Sequence, residues 1–273
     1  MAGLTGLTGR ISIDGRELAF ERLGVGEPVL YLGNLAVAAA DMRPFGPVLN
    51  AAGYQLLLVD HLGREDDPIE TIADHVAGLL DALDCRPWVW GYSQGAFIAQ
   101  EVARSSPVRV RGAVLVATRA RPSRFFEQYA QATGVLSDRG VPDAVAATLH
   151  LLATMPPQLL GDDSVVAAVT RAFLAQRAIE DPERTQRSVQ ASATYADRLA
   201  ALGDVQVPAL VVAFEHDVVC PPEAGREVAE AIPGCEYRVV PGAGHGGFAT
   251  HSVEVVEAVL DFMARCRTAA AGP

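Results

Sequence analysis

The chain has 273 residues, half of them hydrophobic, and 22 Lys+Arg against 33 Asp+Glu give it a formal net charge of -11. That is ample apolar material for a large core, while the acidic balance argues against nucleic acid, which needs clustered basic charge, and against anionic membrane surfaces. No run of about 18 apolar residues suggests a membrane span, and the Gly, Leu and Thr that alternate from Met1 to Arg10 lack the basic opening and apolar stretch of a signal peptide.

Taken in chain order, residues 11–13 and 17–22 flank Asp14-Gly15, a strong two-residue turn signal, and read as a hairpin. Residues 28–32 (PVLYL) form a short apolar run suited to a buried parallel strand. Residues 41–53 read as a helix ended by its glycine, and 55–60 (QLLLVD) as the next strand. Over 69–83, Ile69, Ile72, Ala73, Val76, Leu79, Leu80 and Leu83 fall on one helical stripe. A strand at 87–91 (PWVWG), a helix at 94–105 and a strand at 112–117 (GAVLVA) follow. Such alternation implies right-handed crossovers and a mainly parallel sheet covered on both faces.

The rhythm breaks after the sixth strand. Residues 121–202 hold helical patterns alone, at 125–133, 141–154, 164–178 and 182–199. It resumes with a strand at 208–214, a helix at 222–231, a strand at 236–240 and a closing helix at 252–266, with 268–273 expected as a loose tail. The expected organisation is therefore an α/β core of residues 1–120 and 203–273, interrupted by a helical insertion of residues 121–202. The four cysteines, Cys85, Cys220, Cys235 and Cys266, show no metal-ligand spacing. They read as reduced thiols of a cytoplasmic protein, packed as small apolar residues.

Chemistry concentrates in three loops. Gly91-Tyr92-Ser93-Gln94-Gly95 lies between an apolar strand and a helix, the context in which a GxSxG pattern places a serine on a tight turn at the sheet edge. A serine hydroxyl needs a base. Of six histidines, His245 stands in the glycine-rich loop Pro241-Gly242-Ala243-Gly244-His245-Gly246-Gly247, after the last strand and over the same edge. The base in turn needs an orienting carboxylate. Asp217 and Glu215 both follow the strand at 208–214; Asp217 stands further into the loop and is preferred, with Glu215 as the alternative and His216 as a bystander.

The order Ser93, Asp217, His245 resembles the α/β-hydrolase superfamily. So do the strings VLYLGN, LLLVDHLG, VWGYSQGAFIAQEVA, VRGAVLVA, PALVVAFEHDVVCPP and VVPGAGH. The central segment is similar to small bacterial esterases, lactonases and cofactor-free haloperoxidase-like members. The resemblance implies that the helical insertion is a cap over the active site. It implies an oxyanion hole from the backbone N–H of Gln94 and a second donor in the loop after residue 32, at Asn34 with Leu35 as its neighbour. Many relatives carry His-Gly where this chain has Leu32-Gly33. Asp60 is expected to hold its own turn, and Trp88 and Trp90 to belong to the core. Leu35, Tyr92, Phe125, Tyr129 and Met155 are expected around the substrate.

The expected activity is hydrolysis of a carboxylic ester, lactone or thioester of a mainly apolar small molecule through an acyl-enzyme, without metal or organic cofactor. The altered loop at Leu32-Gly33 makes carbon–carbon cleavage, cyclisation or a lyase step the alternative. A non-catalytic receptor is disfavoured, because it would have no need for Ser93, Asp217 and His245 together. The partner is a small molecule; the sequence leaves open whether the protein is a monomer or a homodimer.

Overall fold

A computed structural model describes residues 6–13, 15–33, 42–59, 67–137 and 140–271. Asn34, Leu35 and Asp60 lie outside the described residues. Among the described residues eight strands form one sheet: β1 (Gly6–Ile13), β2 (Arg16–Leu23), β3 (Glu27–Leu32), β4 (Tyr54–Val59), β5 (Trp88–Tyr92), β6 (Gly112–Val116), β7 (Ala209–Phe214) and β8 (Glu236–Val240). Their order is β1-β2-β4-β3-β5-β6-β7-β8, antiparallel at β1/β2 and β2/β4 and parallel elsewhere. In the first pair Ile13 stands opposite Arg16, and Gly15 between them supplies a positive φ of 78°.

The helices are α1 (Gly46–Ala51), α2 (Ile69–Ala82), α3 (Gln94–Ser105), α4 (Arg124–Ser137), α5 (Asp143–Thr154), α6 (Asp163–Ile179), α7 (Pro182–Ala193), α8 (Pro222–Ala231), α9 (Gly247–Thr250) and α10 (Ser252–Ala271). Helices α4 to α7 form the insertion between β6 and β7. The strand order reverses at β3: the chain leaves it for β4 on one side and returns to β5 on the other. In open α/β sheets, the crevice beyond the carboxyl ends of such a strand pair is where ligands bind.

The first strand begins at Gly6, five residues before the expected start, and three other boundaries differ for a local reason. The helix expected over 41–53 contracts to α1, because Pro44 sits in a preceding 3₁₀ turn and Pro47 at the helix start, and neither has an N–H to continue a longer ladder. The helix expected over 182–199 stops at Ala193. Beyond it the chain turns to place Tyr195 and Arg198 on a buried carboxylate, Glu101 of α3. The tail expected from residue 268 is instead helical to Ala271, as three consecutive alanines favour, and the Thr268 hydroxyl donates back to the Ala264 carbonyl at 3.0 Å. The short helix α9 had no expectation attached to it.

Trp88 and Trp90 are buried in the core. Helix α3 is buried from Gln94 to Ala103, pressed against β3, β5, β6 and α2. Its approach to the sheet is possible because two positions lack a side chain. A Cβ on Gly95 would overlap the carbonyl oxygen of Leu32, and one on Gly91 the carbonyl of Gly95. Gly95→Ala must push α3 away from β3. Overpacking of this kind costs about 1–3 kcal/mol, and a chain of this size loses roughly 2–4 °C of Tm per kcal/mol. A drop of about 2–12 °C in the circular-dichroism melting curve is expected; an unchanged midpoint would show that the turn has room to spare.

Candidate active site

Ser93 follows β5 directly and adopts φ 53° and ψ −118°, a left-handed conformation that a non-glycine residue holds only at a cost of order 1–3 kcal/mol. Its own backbone is what holds it there: the Ser93 N–H donates to Val116 O at 2.9 Å, and Ser93 O accepts from Ala96 N–H at 2.9 Å. The strained turn lifts the hydroxyl off the sheet edge at the N-terminus of α3, where unpaired N–H groups and the helix dipole favour negative charge.

The loop after β8 brings His245 over that hydroxyl. Ser93 Oγ lies 3.0 Å from His245 Nε2, and His245 Nδ1 lies 2.8 Å from Asp217 Oδ2. A carboxylate only accepts, so Nδ1 carries the proton and donates to Asp217, leaving the Nε2 lone pair to accept from the serine. The other Asp217 oxygen is also engaged: Oδ1 accepts from the N–H groups of Val219 at 2.8 Å and Cys220 at 2.7 Å. All three side chains are buried. The row can therefore draw a proton from Ser93 Oγ onto an imidazole whose tautomer and tilt are fixed.

Glu215, the alternative carboxylate, is engaged elsewhere. Its Oε2 accepts from the Gly242 N–H at 2.8 Å, at a position where φ is +70°. The His216 N–H donates to Ala243 O at 2.8 Å, so the residues before Asp217 clasp the histidine loop to the acid loop. Two further braces come from other elements. The Tyr92 hydroxyl donates to the His245 carbonyl, and the Gly246 N–H donates to Thr154 O, at the end of α5, at 2.7 Å. Met155 packs on this same loop, its methyl filling the space beside Gly246. Tyr92 and Met155 thus both touch the histidine loop.

The insertion is fastened to α3, the helix behind the nucleophile. Gln94 Nε2 donates to Ser188 O at 2.6 Å, and Ser188 Oγ donates back to Gln94 Oε1 at 2.6 Å, joining α7 to the residue after Ser93. Buried Glu101 accepts from the Tyr195 hydroxyl at 2.9 Å and Arg198 Nε at 3.0 Å. Burial, then the Glu101 charge, drives the Tyr195 hydroxyl far above its ordinary pKa. Arg119 lies between the rings of Phe97 and Phe126, 4.9 and 4.3 Å from their centroids, and donates to the carbonyls of Arg121 and Ser192 at 2.6 Å. Desolvation pulls its pKa down. Apart from Gln94, which was expected only for its backbone N–H, none of the polar anchors figured among the sequence candidates. Glu101 offered the available signal, as a carboxylate in a helix whose residues 95–99 and 102–103 are apolar or small.

Phe125 and Tyr129 line a cavity among the helices of the insertion. Val218, next to Asp217, closes its core side. The Cys220 thiol is wholly buried, and burial raises its pKa, with the Asp217 charge adding to the effect; it is no nucleophile at neutral pH. All four cysteines are free thiols. Among the described residues, no three His, Cys, Asp or Glu side chains group as metal ligands, and no helix is long and apolar enough to cross a membrane.

Known proteins resemble this arrangement over most of its length. The model of the "Alpha/beta hydrolase family" matches residues 35–258. A Mycobacterium tuberculosis protein named "Putative non-heme bromoperoxidase BpoC" is 35% identical over 257 residues, covering 90% of this chain and 97% of that one. Its crystal structure superposes with a TM-score of 0.83, covering 91% of this chain and 96% of the other. The "Pimeloyl-[acyl-carrier protein] methyl ester esterase" of Chromobacterium violaceum is 28% identical, covering 90% of this chain and 98% of that protein. The enol-lactonase of Burkholderia xenovorans LB400 shares the fold at a TM-score of 0.79 and 22% identity, covering 94% of this chain and 100% of that one.

Proposed function

The chain belongs to the alpha/beta hydrolase family, and from that premise we propose that it is a serine hydrolase that cleaves a carboxylic ester, lactone or thioester of a mainly apolar small molecule through an acyl-enzyme. The reading rests on one observation, the unbroken row from Ser93 Oγ through the imidazole to Asp217, with steps of 3.0 and 2.8 Å. His245 Nε2 takes the hydroxyl proton as Ser93 Oγ attacks the carbonyl carbon, and the tetrahedral oxyanion forms at the N-terminus of α3. The Gln94 N–H is its donor there, with Asn34 as the second donor that the family resemblance implies. His245 then passes the proton to the leaving group, whose bond to the carbonyl carbon breaks. Water, deprotonated by His245, releases the acid from Ser93 by the reverse of the same steps. Residues 1–120 and 203–273 carry this machinery, and residues 121–202 act as the cap that selects the substrate.

A fluorophosphonate probe tests the mechanism directly, because it reacts only with a serine that a base activates. Mass spectrometry of the digested protein should find a single adduct, on the peptide carrying Ser93, with ester hydrolysis lost in proportion to labelling. A Ser93 that stays unlabelled in protein that turns over its substrate would overturn the acyl-enzyme and leave the carbon–carbon or lyase alternative.

A further inference from the structure

The cap helices pack as two pairs, α4 against α7 and α5 against α6. Elements of both pairs border a cavity of about 380 Å³, within the size range of small-molecule sites. Four rings line it, two from α4 and two from the α5–α6 pair. Phe125 and Tyr129 are within 14° of parallel; His150 and Phe173 are within 17°, their centroids 4.3 Å apart. Space bounded by paired, near-parallel rings favours a planar guest, which stacks offset or edge-on against such faces.

The polar groups of the chamber say what charge the guest carries. Arg177 donates to Val141 O at 3.1 Å and pairs with Asp143 at 3.4 Å, and Glu180 accepts from Gln176 at 2.8 Å, so both charges are already engaged within the cap. His150 is different. Among the described residues its ring nitrogens have no hydrogen-bond partner, and its ring lines the chamber. Burial, with the nearby His245 adding to it, lowers its pKa to about 4. At neutral pH it is therefore an uncharged imidazole, with one nitrogen to donate and one to accept.

The chamber also borders the acid loop: Val218, next to Asp217, lines it, and the Asp217 charge adds to the burial that raises the Tyr129 pKa. We propose that this chamber holds an uncharged aromatic ring of the substrate, stacked among Phe125, Tyr129, His150 and Phe173, with His150 hydrogen-bonding a neutral carbonyl or hydroxyl attached to that ring's side chain. The proposal rests on the serine-hydrolase reading for the word substrate, and makes the preferred substrates aryl-alkanoic esters or lactones rather than charged half-esters.

The test separates binding from turnover. 4-Phenyl-2-butanone, a neutral aryl ketone, is titrated by calorimetry into Ser93→Ala protein, which cannot be acylated. One-to-one binding is expected. Leu149→Trp, a filling substitution on a half-exposed cap position that lines the chamber, should abolish it. His150→Phe keeps the stack on Phe173 and deletes the hydrogen bond, so it should weaken the ketone about tenfold and toluene less than twofold. With the native protein, kcat/KM for methyl 3-hydroxy-3-phenylpropanoate, which carries a neutral hydroxyl beside its ring as well as the reacting ester, should exceed that for monomethyl adipate. Absence of ketone binding, binding unchanged in both variants, or preference for the adipate would overturn the proposal. Ester hydrolysis with an indifferent chamber would leave the serine-hydrolase reading standing. Ketone binding blocked by Leu149→Trp, in a protein that hydrolyses no ester, would sink that reading and leave the chamber.

Discussion

Ser93→Ala is expected to lower kcat for a methyl or thioester substrate by about 10⁶-fold, the scale found when the serine nucleophile is removed from a triad enzyme, while KM changes by no more than a few-fold. The split follows from what the hydroxyl does. In the ground state it makes one hydrogen bond to His245; in the transition state of the proposed reaction it supplies the new bond to carbon and the proton that charges the imidazole. Only the second of these is felt as rate. Alanine keeps the Cβ, so the left-handed turn at φ 53° is no more strained than before, and the Ser93 backbone bonds to Val116 and Ala96 remain. Circular dichroism and the melting midpoint should therefore stay close to those of the native protein. The measurement is single-turnover hydrolysis followed by a pH indicator. Loss of less than about a hundredfold would mean that water, not Ser93, attacks the carbonyl.

Much of this was legible in the sequence because the signals were local. Gly91 and Gly95 announce a turn in which two backbones nearly touch, and the apolar strings at β3, β5, β6 and β7 announce buried parallel strands. Strand order then delivers Ser93, Asp217 and His245 to one edge with no further information, since all three follow parallel strands at their carboxyl ends. The parts that were hidden depend on contacts distant in sequence. Glu215 and Asp217 are two residues apart on one loop, and composition alone does not say which turns toward the imidazole. The choice is made by Gly242, whose N–H takes up Glu215, and by Val219 and Cys220, whose N–H groups hold Asp217. The end of α7 was hidden likewise. Residues 194–199 have ordinary helical composition, and what stops the helix is the pull of Tyr195 and Arg198 toward Glu101, about 95 positions earlier in the chain. His150 was one histidine among six, and only its place against Phe173 in the cap separates it from the rest.

Asp217→Asn should cost about 10⁴-fold in kcat, the magnitude associated with a wrong imidazole tautomer in a triad, although it changes only one atom. The asparagine amide has two ways to sit. With its NH₂ toward the Val219 and Cys220 N–H groups, it would set donor against donor at two buried bonds of 2.8 and 2.7 Å, and each lost bond costs about 1–3 kcal/mol. The side chain must therefore keep its oxygen on those N–H groups and turn its NH₂ toward His245. Nδ1 then has to accept, so the ring proton moves to Nε2 and points at Ser93 Oγ, where it blocks the proton transfer it should receive. The fold is retained, because every backbone bond to residue 217 survives, and KM should change little. Glu215→Gln provides the contrast. Its amide oxygen can still accept from the Gly242 N–H, a bond at the protein surface, so the histidine loop keeps its brace and kcat should stay within about threefold, the smaller end of a single hydrogen bond's worth. Steady-state kinetics on both variants decides the assignment: if Glu215→Gln collapses the rate and Asp217→Asn does not, the carboxylate that orients His245 during turnover is Glu215, and the row in this structure is not the one that reacts.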